Sequence, residues 1–596
     1  MLRIARVTLR GSRFLSTRGV RYASSAPPRM AARKLALVSG GAALGLVTLL
    51  ASKMHADSAT AVAFPAASKP KREVDPTRSS FGTLVRAYVV YTMCSIPALV
   101  DSAPWLLQTF SSIPGLRWIT ESIVRVTFFD QFVGGDTAAQ TLPLLHTLRS
   151  ANMGTLFAYS VEVDEAEAMT ASGSGSSGDK SPHKAIVDEM VHCIDVAADF
   201  EDSLGAKQTG RRTWVAVKIT ALVPDASALI RLSRHIISTR PPTSSPHVVF
   251  PGNPTSSDLD VLYAGTATPG ALSPSDLAML RDLHADLTRI CARAQARGVR
   301  IIIDAEYSWY QPALDALTFA LMRRFNALPA SGAGQPQPLV YATYQAYLRR
   351  TPAHLVHALR DAKKHGFALG VKLVRGAYHT HENSGAVDLA RGPPPVWTSK
   401  ADTDAAYDAC AALLLDAVAA DVSGRPGKPQ GVGLLFGTHN WASCRKILAG
   451  MQERGLAQAT PGDEGKLLVG ERVGERVTFG QLYGMCDDLT QYLARHTESG
   501  APMVIKYVPY GALSEVRLPF LVNPSPPFPS SLPFSTFSVA FPPSLLRLIP
   551  SLPPSFPLLY SLYSRRAIEN KSVLGGGAAQ AERKRAWDLM WERVFG

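Results

Sequence analysis

Eight short apolar runs punctuate this 596-residue chain, at 155–160, 214–221, 299–306, 339–344, 368–374, 432–437, 476–482 and 503–508. Longer amphipathic segments separate them, among them 185–203, 273–297, 352–365, 402–420, 442–454 and 487–495. A run of strand length that is apolar on both faces suits a parallel strand covered by helices. Eight such β/α units in succession predict an α/β fold, a distorted (β/α)8 TIM-type barrel over 151–596, preceded by a helical region at 84–150.

The polar residues gather where each predicted strand ends. Val371-Lys372-Leu373-Val374-Arg375-Gly376-Ala377-Tyr378 is the clearest case: an apolar run delivers two cations, stops at a glycine and then offers an aromatic hydroxyl. The other ends supply Lys218, Asp304 with Glu306, Gln345, Thr438-His439-Asn440, and Lys506 with Tyr507. A charge inside an apolar strand is costly unless it is paired, so these groups face one another or a charged ligand. Taken singly they have plainer readings: Lys218 and Asp304 as an interior ion pair, His439 as a satisfied core histidine. Together they point to a site at the C-terminal mouth of a barrel. The carboxylates and His439 imitate a metal triad, but the surrounding lysines and arginine repel a cation, so no metal is expected. A cationic mouth suits an anionic ligand.

The flanks carry addressing information. Residues 1–34 hold Arg3, Arg6, Arg10, Arg13, Arg18, Arg21, Arg29, Arg33 and Lys34 and no acid, the composition of a mitochondrial transit peptide. They account for most of the net charge of +14, so nucleic-acid binding is not expected. Residues 35–52 are uncharged and just long enough to span a bilayer; they read as a membrane anchor or as part of a removed presequence. Residues 53–83 read as a linker. The six cysteines lie far apart with no C-x-x-C pair, which fits a reducing compartment. Gly173-x-Gly175-x-x-Gly178 matches a dinucleotide fingerprint only formally, since it sits in a Ser/Gly tract that reads as linker.

In order along the chain, several segments resemble the signature of the FAD-dependent proline dehydrogenases: Phe128-Phe129-Asp130-Gln131-Phe132-Val133-Gly134-Gly135, the strand with Lys218, Asp304-Ala305-Glu306, Tyr344-Gln345-Ala346-Tyr347, Leu373 to Tyr378, Thr438-His439-Asn440, Phe479 to Met485, Lys506-Tyr507-Val508-Pro509-Tyr510-Gly511 and Arg565-Arg566-Ala567-Ile568-Glu569-Asn570. The resemblance implies a barrel with FAD at its mouth. It places Lys372 near the flavin, with Gln345 on the flavin ring and Arg375, Gly376, Ala377, Thr438, His439 and Asn440 around the cofactor. Lys218, Asp304, Tyr378, Leu482 and Tyr507 would line a proline pocket. Arg565 and Arg566 would grip the substrate carboxylate, a task that suits a planar guanidinium, with Glu569 supporting them. The implied reaction is oxidation of L-proline to Δ1-pyrroline-5-carboxylate, with electrons passed to a membrane quinone on the matrix side of the mitochondrial inner membrane. Tyrosine at 507 favours proline over hydroxyproline.

One stretch departs from the family's pattern. Residues 522–563 are almost wholly Pro, Ser, Phe and Leu, with Arg547 as the sole charge, and they intervene just ahead of Arg565. They read as a looped-out insertion or as a translated intron, because loops of that length are uncommon in a compact barrel. Two other functions stay open at this stage: a flavin dehydrogenase for hydroxyproline, and an inactive barrel serving as a scaffold.

Overall fold

Eight parallel strands close into a barrel in the order β1-β11-β9-β6-β5-β4-β3-β2. They are β1 (Met153–Tyr159), β2 (Thr213–Val217), β3 (Ile301–Ile303), β4 (Val340–Gln345), β5 (Leu369–Val374), β6 (Val432–Gly437), β9 (Val477–Leu482) and β11 (Val504–Tyr510). β1 pairs with both β2 and β11, which closes the sheet. A small separate sheet joins β7 (Gln458–Thr460), β8 (Asp463–Leu468) and β10 (Thr497–Glu498). The computed structural model describes residues 80–113, 115–160, 181–205, 210–240, 253–264, 272–329, 338–379, 382, 394–423, 431–512 and 578–595. The segments read as transit peptide, apolar segment, formal dinucleotide fingerprint and insertion lie outside them.

All eight predicted strands are barrel strands, and the six amphipathic segments are helices: Pro182–Ser203, Pro274–Arg297, Thr351–His365, Lys400–Val422, Trp441–Glu453 and Asp487–His496. Three boundaries move, each for a local reason. β2 ends at Val217, and Ile219–Leu222 forms a 3-10 turn, because the Glu306 carboxylate accepts from both the amide and the hydroxyl of Thr220. β3 keeps only its three isoleucines, although the Asp304 amide still donates to the Val217 carbonyl at 2.9 Å. The first helix starts at Phe81, inside the stretch read as linker, because the Ser80 hydroxyl caps it by accepting from the Thr83 amide at 3.1 Å.

Side-chain alternation sorts the strands into two layers. Outward residues such as Val215, Val217, Ile301, Ile303, Val371, Leu373, Leu434, Phe436, Val477 and Phe479 are buried beneath the helices. Inward residues Leu156, Ala158, Trp214, Ala216, Ile302, Tyr341, Leu435 and Ile505 fill the lower barrel. Tyr341 occupies space that glycines vacate: a Cβ on Gly433 would lie 2.6 Å from its hydroxyl, and one on Gly370 2.7 Å from its ring. Beneath this plug Glu475 takes Arg212 at 3.3 Å and Arg300 at 3.2 Å, and the Arg300 guanidinium lies 5.0 Å from the Trp214 ring. These side chains plug the bore of the barrel below the mouth.

Around the barrel, helices Phe81–Cys94, Pro97–Ser112 and Leu116–Val124 precede β1. The first of them packs along the last helix, Ala578–Phe595, through Tyr91 and Ala579.

Candidate active site

The alternation that buries Trp214, Ile302, Tyr341 and Ile505 continues upward, and it sends Lys218, Asp304, Gln345, Lys372, Leu482 and Tyr507 into the same interior. Three of them meet. The Lys372 ammonium donates to Asp304 Oδ1 at 2.6 Å. The Tyr507 hydroxyl donates to Asp304 Oδ2 at 2.9 Å. Lys372 also lies 5.1 Å from the Tyr507 ring centroid. Both oxygens of a buried carboxylate are therefore satisfied, which holds the cluster rigid at the mouth. Lys218 stands half-buried at the end of β2, and Leu482 ends β9.

Gln345 is buried, and its amide nitrogen donates to the Tyr347 hydroxyl at 3.3 Å. Its Oε1 has no partner among the described residues. A buried acceptor without a donor is expensive, so a ligand N–H belongs there. A flavin ring, which carries such an N–H, fits this position.

The β5 turn is shaped by Gly376. Its φ is +122°, and a Cβ there would lie 2.4 Å from the Tyr347 ring. Only glycine permits both the turn and the approach. Arg375, just before it, is a brace: it donates to Asp404 at 2.7 Å, to the Thr438 hydroxyl at 2.7 Å and to Ser443 at 2.8 Å, and it lies 4.3 Å from the Tyr407 ring. Ala377 follows, exposed, and Tyr378 is buried with its ring 4.5 Å from Tyr307. Tyr307 in turn stacks on Trp309 at 4.3 Å. This aromatic wall is secured by the buried Glu382, which accepts from the Ser308 amide at 2.7 Å and its hydroxyl at 2.6 Å. Burial raises the Glu382 carboxyl above its ordinary value.

At the end of β6 the three residues have separate tasks. Thr438 receives Arg375 and the Asn440 amide. His439 Nε2 accepts from the Leu482 amide at 2.9 Å, so its proton sits on Nδ1. The Asn440 side chain caps helix Trp441–Glu453 by accepting from Ser443 N at 3.1 Å. Arg565, Arg566 and Glu569 lie outside the described residues.

A second cluster was not foreseen from the sequence. Lys506 faces out of the barrel, buried, and donates to the carbonyls of Met485 at 2.9 Å and Leu482 at 3.3 Å and to Asp487 at 2.8 Å. Asp487 also faces Arg585 of the last helix at 3.7 Å. Arg585 binds Asp488 and, at 3.2 Å, Glu582. Burial works against the Asp487 carboxylate, yet Lys506 and Arg585 hold it below its ordinary value. Glu582 goes the other way: burial first, then Asp487, push it up to about 7. The same turn is gripped from the N-terminal side, where the Tyr91 hydroxyl and the Gln131 amide, the latter at 3.2 Å, donate to the Gly484 carbonyl. The one sequence signal was a lysine in an apolar strand. Its partner Asp487 opens the next helix, but Arg585 lies far along the chain.

A cavity of about 530 Å³ lies at the opposite end of the barrel, lined by Arg149, Glu471, Glu475 and Ser499, away from all of these mouth residues.

A (β/α)8 barrel with a plugged bore and a charged, aromatic-walled mouth defines an enzyme of the barrel class, with its site at the strand C-termini. Comparison with known proteins narrows this. The family model for proline dehydrogenase matches residues 164–523. Hydroxyproline dehydrogenase of Bos taurus is 30% identical over 449 residues, covering 74% of this chain and 85% of that protein. Mitochondrial proline dehydrogenase 2 of Arabidopsis thaliana is 28% identical over 470 residues, covering 76% and 87%. Among solved structures, proline utilization A of Bdellovibrio bacteriovorus inactivated by N-propargylglycine aligns with TM-score 0.46 and 18% identity, over 73% of this chain and 35% of that one. The chain belongs to the proline dehydrogenase family and is an oxidoreductase.

Proposed function

We propose that this chain oxidises L-proline to Δ1-pyrroline-5-carboxylate with FAD as cofactor, and passes the electrons to a quinone from the matrix side of the mitochondrial inner membrane. When bound, FAD supplies the acceptor for the hydride that leaves C5 of the proline ring. The observation that carries the reading is the Lys372–Asp304–Tyr507 cluster inside the mouth of a barrel of this family.

Gln345 would hold the cofactor ring through its unpartnered Oε1. Lys372 would stand beside it with a positive charge that favours electron-rich chemistry. Thr438, His439 and Asn440 would border the cofactor, on a turn that Arg375 and the helix cap make rigid. Asp304, Tyr507, Lys218, Tyr378 and Leu482 would form the substrate pocket. Arg565 and Arg566, supported by Glu569, would take the carboxylate and so aim C5 of the substrate. The Tyr507 ring takes up room beside Asp304, which supports proline over its hydroxylated analogue. The matrix location rests on the composition of residues 1–34 and on the mitochondrial relatives.

The test is anaerobic addition of L-proline to the purified chain while the flavin absorbance is followed. Bleaching by proline, with a slower response to hydroxyproline, is the expected result. A yellow protein that bleaches with neither substrate would refute the assignment.

A further inference from the structure

Among the described residues, most of the large hydrophobic side chains left exposed belong to the helices that flank the barrel mouth at the two chain ends. On helix Phe81–Cys94 they are Phe81, Val85 and Val89, one stripe at four-residue spacing. On helix Ala578–Phe595, which packs along it, Trp587, Trp591 and Phe595 repeat that spacing. Trp587 stacks on Trp591 with centroids 6.1 Å apart, and Phe595 lies tilted against Trp591 at 4.2 Å. A third group follows on the next turns of chain: Trp118 is 72% exposed and Val126 60%, with Ile119 and Ile123 between them. Helix Pro97–Ser112, which links these groups, has Asp101 as its sole charge and no buried residue among its described side chains.

We propose that this helical face seats the enzyme on a lipid bilayer, with the tryptophans and isoleucines in the interfacial layer. The proposal deepens the membrane association put forward above by naming the surface that makes it. Three observations favour lipid over a protein partner. Exposed tryptophan among aliphatic and phenylalanine side chains is the chemistry of the membrane interface. At 16 residues, helix Pro97–Ser112 is shorter than the ~20 needed to span, and suits lying in the interface plane. The sequence also carries a bilayer-suited stretch of its own, the uncharged residues 35–52, ahead of the linker and of the first stripe. Among the described residues no helix is long and apolar enough to cross a membrane. Around Trp118 and Val126 the charges are matched, Arg117 with Glu121 at 2.7 Å and Arg125 with Asp136. Apolar burial therefore drives the contact, and salt would leave it intact.

The test uses the full chain with phosphatidylcholine vesicles whose acyl chains carry bromine, a short-range quencher of tryptophan. Brominated lipid should quench the emission of the wild type, and Trp118→Phe and Trp591→Phe should each remove part of the quenchable fraction. The effect should be the same in 0.1 M and 1 M salt. Equal fractional quenching of wild type and both variants would overturn the proposal, even if the chain stays on the vesicles through residues 35–52. Sedimentation without lipid gives a second arm: if Ile119→Ser with Ile123→Ser turns an oligomer into monomers, the face is a contact between copies and the proposal fails. Flavin bleaching by proline is read on the same samples, so loss of the lipid contact and loss of the proposed activity are told apart.

Discussion

Glu582 offers the sharpest quantitative prediction. Its carboxyl is buried against Asp487 and Asp488, with Arg585 and Lys506 as the facing cations, and it is held near 7 instead of its ordinary 4.5. Tyr91 faces the same cluster from the N-terminal helix. In this state the folded chain keeps a proton that the unfolded chain releases. Stability is therefore full below about pH 4.5 and is lost as pH rises to about 7. The loss amounts to about 3 kcal/mol, since a tenfold change in proton affinity corresponds to about 1.4 kcal/mol. The side chain is almost wholly buried, so solvent screening takes little from this figure. The perturbation is Glu582→Gln, which keeps the shape and removes the titration. The assay is amide hydrogen exchange in helix Ala578–Phe595 at pH 5, 6, 7 and 8, corrected for intrinsic rates. In the wild type, protection of this helix should fall roughly a hundredfold across that range. In Glu582→Gln it should stay flat. A wild type and variant that lose protection in parallel would refute the argument.

Three further outcomes follow from the mouth. Lys372→Met strips Asp304 of its ion pair inside the barrel and should destabilise the fold by about 3 kcal/mol; an unchanged melting temperature would contradict the burial argument, and proline-driven bleaching should vanish. Tyr507→Phe removes one hydrogen bond to a charged group, worth about 1.5–3 kcal/mol, so kcat/KM for proline should drop at least tenfold in steady-state assays. Gly376→Ala forces a Cβ into the Tyr347 ring and a left-handed backbone onto alanine; calorimetry should show a loss of at least 2 kcal/mol, and a neutral result would show that the turn can rearrange.

Much of this architecture was legible because a barrel strand carries its own register. Once Ile302 is inside, Asp304 must be too, and the same parity brings Lys372, Gln345 and Tyr507 to one level. The contact of Asp304 with Lys372 was not legible, because it depends on which inward side chains reach across the bore. Glu306, grouped with Asp304 at a strand end, accepts from the Thr220 turn, a contact between strands that spacing does not give. Lys506 shows the limit most plainly. Sequence alone put it at the mouth with Tyr507, whereas adjacent residues in a strand face opposite ways, and its partners come from a turn and, through Asp487, from the last helix. Arg375 likewise looks like a ligand contact in the sequence, and it donates to Asp404, Thr438 and Ser443.

The packing of helix Phe81–Cys94 along helix Ala578–Phe595 has a consequence for how the molecule is made. The ribosome delivers the first of these helices hundreds of residues before the second, and β1 likewise waits for β11. The barrel seam waits for Tyr510, and the helix seam for Ala578–Phe595. The nascent chain therefore carries its apolar first helix without its mate until Ala578–Phe595 is made, a long interval in which a chaperone has both a reason and a place to bind.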